Sequence, residues 1–183
     1  NAAPYTRNRL VGESGTKNND FNFISIQQKG GRKAVIGSFG AHATTIGADN
    51  MQFSADYPGY WQRKMEQGSV DLAIFCGGSV GSQSPSGEGK GFEKPKKIGE
   101  SLADSLEIHL AKVELKDKID MSAISLKIDL PDYNIRLTTK LHFSTWLSKK
   151  LMPLPENVYL QVIKIGNLIW LTTPCDFSGE FAR

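Results

Sequence analysis

Phe21 to Gln27 sets Phe21, Phe23 and Ser25 against Asn22, Ile24 and Ile26, the period-two alternation of a strand. Gly30-Gly31 makes a turn into Ala34 to Phe39, a run of apolar and small residues, so the two segments predict a β-hairpin. Ser54 or Asp56 caps a predicted helix that carries Pro58 in its first turn and runs to about Gln67, where Gly68 stops it. Val70 to Phe75 is short and mostly apolar, as a buried strand would be. Gly77 to Gly91 reads as a loop, because six of its fifteen residues are glycine. Over Ile98 to Val113 the side chains of Ile98, Leu102, Leu106, Ile108 and Leu110 recur at near-helical spacing and predict an amphipathic helix. Met121 to Leu130 brings Ile124, Leu126, Ile128 and Leu130 onto one face, the pattern of a half-exposed strand. Trp146-Leu147 with Leu151-Met152 predicts a short helix or lid segment, ended by Pro153 and Pro155. Val158 to Ile165 and Leu168 to Leu171 flank Gly166-Asn167 and predict a tight hairpin. Strand, helix, strand, helix and then further strands make an α/β layered domain with a mixed β-sheet flanked by helices, incomplete as a unit.

Composition changes this picture little. With 183 residues and 39% hydrophobic content, the chain has apolar material for one core, so residues 1–183 are read as part of a single domain. Lys and Arg total 22 against 19 acidic residues with no long basic run, which gives nucleic-acid binding no support. The densest basic stretch, Lys90 to Lys97, reads as a solvated loop leading into a helix, with attraction to anionic lipid as the sharper alternative. No stretch approaches the ~20 apolar residues needed to span a bilayer, and no signal peptide opens the chain, which does not start with Met and reads as the interior of a larger protein. Cys76 and Cys175 are too few to define a disulfide framework; they are read as buried thiols, with a pair as the alternative.

Two places carry candidate chemistry. His42 follows the Ala34 to Phe39 strand, where an imidazole can face a cleft while its backbone stays anchored. A lone His beside apolar residues is more often a hydrogen-bonded structural residue than a metal ligand, since a metal site needs several convergent ligands. In the glycine-rich loop, Pro85 restricts Ser84 to extended geometry and so gives its hydroxyl a defined direction. Gly87-Glu88-Gly89-Lys90-Gly91 suggests a phosphate cradle, but its spacing fits neither the P-loop nor the dinucleotide fingerprint.

The order of these segments carries more than any one of them. Phe39-Gly40-Ala41-His42, then Asn50 and Ser54-Ala55-Asp56-Tyr57-Pro58-Gly59-Tyr60, then Gly81-Ser82-Gln83-Ser84-Pro85, and finally Ile165-Gly166-Asn167 and Pro174-Cys175-Asp176-Phe177 together resemble the neutral, non-lysosomal ceramidases. Asn1-Ala2-Ala3-Pro4 stands where that family has Asn-Arg-Ser-Pro. The resemblance implies that the chain is a fragment of a ceramidase-like catalytic domain, a zinc-dependent amidase cleaving the N-acyl linkage of ceramide or a related lipid amide. It assigns His42 and Asp176 as zinc ligands and Ser84 as the active-site serine, which would position or polarise the substrate while a zinc-activated water attacks. The other ligands, a His of a His-Thr-His-Ser-Gly-Pro type segment and a tyrosine, would fall before residue 1 and after residue 183, so the site within this chain is incomplete. His109 and His142 match no family ligand and are read as structural or surface groups. Secreted or periplasmic localisation and peripheral membrane contact follow from the same resemblance; the oligomeric state does not.

The departures from the family pattern point the other way. Asp176 stands where the family has Glu, setting its carboxylate about one methylene back. Ser82 and Ser86 replace Asp and Asn of Gly-Asp-x-Ser-Pro-Asn, removing an acceptor charge near Ser84, and Ala2 replaces an arginine near the scissile amide. The alternative reading is therefore a catalytically impaired member that acts as a lipid or carbohydrate binding module.

Overall fold

The computed structural model describes the backbone of strand β1 (Thr6–Asn8) and residues 17–181. Ala2 and its neighbours in the Asn1-Ala2-Ala3-Pro4 segment lie outside the described residues. The chain forms two compact units, one gathering the residues up to Lys116 with those from Asp176 on, the other Asp117–Cys175.

The first unit is built on a mixed three-stranded sheet. β2 (Phe21–Gln27) and β3 (Lys33–Phe39) form the expected antiparallel hairpin, with Phe21 opposite Phe39 and Gln27 opposite Lys33. Gly30 and Gly31 both take positive φ in the turn, a conformation that glycine adopts without penalty. Helix α1 (Asp56–Gly68) then crosses back to β4 (Leu72–Gly77), which pairs in parallel with β3, the arrangement of a β-α-β crossover. Helix α2 (Glu93–Leu110) packs on α1. It starts earlier than its apolar repeat, because the first turns from Glu93 to Lys97 are polar and largely exposed, and only Pro95 there is buried.

Alternation decides what the sheet buries. Val35, Phe39 and Ala73 meet Tyr57, Trp61 and Met65 of α1 and Ile98, Leu102, Ala103 and Leu106 of α2 in one core. Phe21 and Phe75 extend it, each with its ring centroid about 5.5 Å from that of Trp61 or Tyr57. The segment expected to be wholly loop contains a correction: Gln83–Pro85 is a strand, β5, paired antiparallel with β1, Ser84 opposite Arg7.

The second unit carries an antiparallel sheet of β6 (Met121–Asp129), β7 (Asn157–Ile165) and β8 (Leu168–Thr172), with the short helix α3 (Thr145–Leu151). The β7–β8 turn has Gly166 at φ 58 in its first central position, the requirement of a type II′ hairpin. β6 differs from expectation: it is exposed along almost its whole length rather than on one face. Ser144 caps α3 by accepting the Leu147 N–H. The α/β layering with a mixed sheet is as the pattern predicts.

The α1–α2 contact turns on Gly99. A Cβ there would lie 2.5 Å from the Tyr57 carbonyl oxygen and 2.8 Å from the Trp61 nitrogen. In an open helix, Gly→Ala gains up to ~1 kcal/mol. Here overpacking against backbone outweighs that gain, so Gly99→Ala should lose about 1–2 kcal/mol, read as a lower urea midpoint. A raised midpoint would show that the helices part freely at this point.

Candidate functional site

His42 lies just beyond the carboxyl end of β3, and the chain carrying Ser84 leaves the carboxyl end of the parallel neighbour β4. Crevices at the carboxyl ends of parallel strands are where α/β sheets place ligands. Gly78 N–H donates to the Phe39 carbonyl at 2.9 Å, carrying the ladder one step past the strand ends.

His42 is held from several sides. Its own N–H donates to the Gln83 carbonyl at 3.1 Å, and its carbonyl accepts the Thr44 N–H at 2.8 Å. One residue earlier, the Ala41 carbonyl accepts the buried Tyr57 hydroxyl. Asp56 fixes the loop that follows. Its buried carboxylate accepts the Thr45 N–H at 2.9 Å, the Thr45 hydroxyl at 2.7 Å and the Tyr57 N–H at 2.7 Å. The cost of burying that carboxylate is thus offset by charge-assisted bonds. Asp56 takes φ 52, a left-handed conformation that Asp tolerates better than most residues. Ser54 completes the turn by accepting the Asp56 N–H at 2.9 Å. The Ser-x-Asp-x-x-Gly-Tyr segment therefore buttresses His42.

Asp176 arrives on the last segment of the first unit, and its Oδ2 stands 3.4 Å from His42 Nε2. That is longer than the ~2.7–2.9 Å of a charge-assisted N–H···O bond. Two donors bound to one tetrahedral zinc at ~2.0–2.2 Å stand about 3.4 Å apart, so the pair has the spacing of two ligands on one ion. Among the described residues no group of three or more His, Cys, Asp and Glu side chains could hold a metal, so any further donor lies elsewhere.

Ser84 is half-buried on β5, directly after the residue whose carbonyl holds His42. Ser82 is buried, and its hydroxyl accepts the Gly179 N–H at 3.0 Å and the Ser178 hydroxyl at 2.8 Å, so it engages the segment after Asp176. Gln83, which the sequence reading passed over, is fully buried; a polar residue in a Gly/Ser loop gives no outward sign of this. His109 lies in the last turn of α2, exposed, with Nδ1 2.8 Å from the Ser105 carbonyl oxygen, and the backbone of His142 pairs with that of Arg136 in the second unit. Cys76 and Cys175 are both free; burial pushes the Cys76 thiol up, while Cys175 is exposed rather than buried. A concavity of about 260 Å³ between β2 and α2, lined by Phe23, Leu106 and His109 among others, includes none of His42, Ser84 and Asp176.

This arrangement can be set against known proteins. The neutral ceramidase of Pseudomonas aeruginosa matches with a TM-score of 0.65 at 17% identity, over 93% of this chain and 38% of that one. A ceramidase complexed with C2 matches with a TM-score of 0.73 at 18% identity, over 95% of this chain and 40% of that one. This chain has the fold of part of a neutral ceramidase. It spans about two fifths of the length of those ceramidases. No family model and no curated protein matches the sequence. The likeness to ceramidase therefore lies in the course of the backbone, with low identity along it.

Tyr57 offers a test of how the His42 loop is held. Burial, and after it the charge of Asp56, push the Tyr57 hydroxyl above its ordinary value of 10.0. A proton held more tightly in the folded than in the unfolded state makes stability full below that ordinary value and lower as pH rises above it. The decline should approach ~1.4 kcal/mol per pH unit, and Tyr57→Phe should remove it. Denaturation midpoints of both proteins at about pH 9 and pH 11 measure the difference. Equal declines would place the responsible ionisation elsewhere.

Proposed function

We propose that this chain is part of a ceramidase-like zinc hydrolase that cleaves the N-acyl linkage of ceramide or a related lipid amide. The observation that carries the proposal is the pairing of His42 with Asp176 at 3.4 Å, at the carboxyl ends of parallel strands, on a fold shared with neutral ceramidase. The fold match to a ceramidase complexed with C2 supports a lipid amide as the substrate class. Secretion or periplasmic export belongs to the same reading; the described residues contain no helix long and apolar enough to cross a membrane.

In this reading His42 Nε2 and Asp176 Oδ2 hold the metal as a neutral and an anionic donor, with further ligands from outside the described residues. Zinc, when bound, lowers the pKa of its water to about 7 and polarises a carbonyl, which is the chemistry that amide hydrolysis requires. Ser84 contributes a hydroxyl on an extended strand, where it orients the amide rather than attacking it. Spacing along the sequence identifies no His partner for a nucleophilic serine. Asp56 and Tyr57 keep the His42 loop rigid, so the imidazole need not be ordered when metal binds.

The first test is metal binding by the chain itself. Cobalt titration of the wild type should give weak binding that His42→Ala and Asp176→Ala each abolish and that His109→Ala and His142→Ala leave unchanged. Equal losses in all four variants would refute the ligand assignment. The second test reads hydrolysis, as fatty acid released from ceramide by a protein that includes the remaining donors. Ser84→Ala there should lower kcat by about tenfold to a hundredfold at unchanged metal content. Full metal content with no hydrolysis by the unaltered protein would favour the binding-module reading instead.

A further inference from the structure

Gly81, Ser82 and Gln83 touch both halves of the His42–Asp176 pair. Toward Asp176, the Gly81 N–H donates to the Phe177 carbonyl at 2.7 Å, and the Ser82 hydroxyl accepts the Gly179 N–H and the Ser178 hydroxyl. Toward His42, the Gln83 carbonyl accepts the imidazole residue's own N–H. Ser82 and Gln83 are covalent neighbours, so a single peptide unit relates the two anchor points. Asp176 itself has little else to fix it. Its side chain is 66% exposed, and among the described residues its carboxylate meets only His42. The backbone that follows it is tied down at Gly81 and Ser82. Space is arranged for the same purpose: a Cβ on Gly81 would run into the carbonyls of Asp176 and Phe177.

We propose that Ser82 is the positioning residue of this pair, its buried hydroxyl setting where Asp176 stands against His42. The proposal rests on the reading of His42 and Asp176 as the working pair of the site. Ser82 does so with a neutral acceptor that takes two hydrogen bonds at once and buries no charge. A serine here that only stabilised the fold would affect amide protection but not the surroundings of the imidazole. A serine that positions the pair affects both.

NMR of the labelled full chain without metal separates these roles through three variants. In Ser82→Ala the Gly179 amide should exchange with solvent about tenfold faster or more, while amides within α1 keep their protection. The His42 ring resonances should shift in the same variant, and Ser82→Thr, which keeps the hydroxyl, should restore both signals. If Ser82→Ala loses α1 protection and so unfolds, Ser178→Ala removes only one of the two donors to Ser82 and should reproduce both changes at smaller amplitude. Unmoved His42 resonances alongside faster Gly179 exchange would overturn the proposal, as would a Ser82→Thr variant that behaves like Ser82→Ala. Because no metal is present, failure here is distinct from failure of the hydrolase reading, which the cobalt titration of the wild type decides.

Discussion

The side chain of Gln83 has no contact with solvent, so each of its polar atoms must be satisfied by the protein, at a cost of roughly 1–3 kcal/mol for any that is not. Its Oε1 accepts the Asn18 N–H at 2.8 Å, and its Nε2 donates to the Ser79 carbonyl at 3.0 Å. The backbone is equally committed, with the N–H to the Val80 carbonyl and the carbonyl to His42 N–H. Filling this position requires room on two sides. A Cβ on Gly40 would come to 3.0 Å from Nε2, and one on Gly179 would enter the carboxamide itself. Two glycines, one between the end of β3 and His42 and one in the segment following Asp176, are thus explained by one buried amide. The candidate site is assembled around that amide, with Ser82 and Ser84 on either side of it.

Much of the first unit is legible in the sequence because its signals are local. The β2–β3 hairpin follows from alternation on each side of Gly30-Gly31, and α1 from the run that ends at Gly68, although neither Ser54 nor Asp56 caps it: Ala55 stands at its N-cap with no side-chain cap bond. What stayed hidden depends on partners distant in sequence. β5 is three residues of Gln, Ser and Pro with no alternation to reveal it, and it exists as a strand because Thr6–Asn8 pairs with it. The polar start of α2 was invisible to a reading keyed to apolar spacing. At the site, His42, Ser84 and Asp176 stand out through the order of motifs, whereas Ser82 and Gln83 do their work through buried bonds that the residue types alone do not announce.

The two units differ in what holds them. Among the described residues, the buried apolar side chains of the core all belong to the first, between the sheet and its two helices. In the second, Ser148 is the single buried residue among those described. Its hydroxyl accepts the Ile135 N–H at 2.9 Å, while the Tyr133 hydroxyl donates to the Met152 carbonyl. Ile124 and Leu126 of β6 and Ile169 and Leu171 of β8 share one face of the sheet and are exposed. Main-chain ladders and a few polar contacts therefore supply that unit's order, and a three-stranded sheet with so little burial draws little stability from the hydrophobic effect.

That contrast bears on the substitutions that set this chain apart from the ceramidase pattern. A carboxylate shortened by one methylene at Asp176 would leave a gap if the backbone stayed where a glutamate needs it. Here the Asp176 oxygen comes within 3.4 Å of His42 Nε2. The Phe177 carbonyl and the Gly179 N–H, held by Gly81 and Ser82, are the points at which it is fixed. Asp176 and Ser82, two apparent losses in the sequence, meet in one piece of geometry. The segment behind the Asp176 carboxylate is anchored, and the anchor can be a neutral hydroxyl because its partners are only an N–H and an O–H.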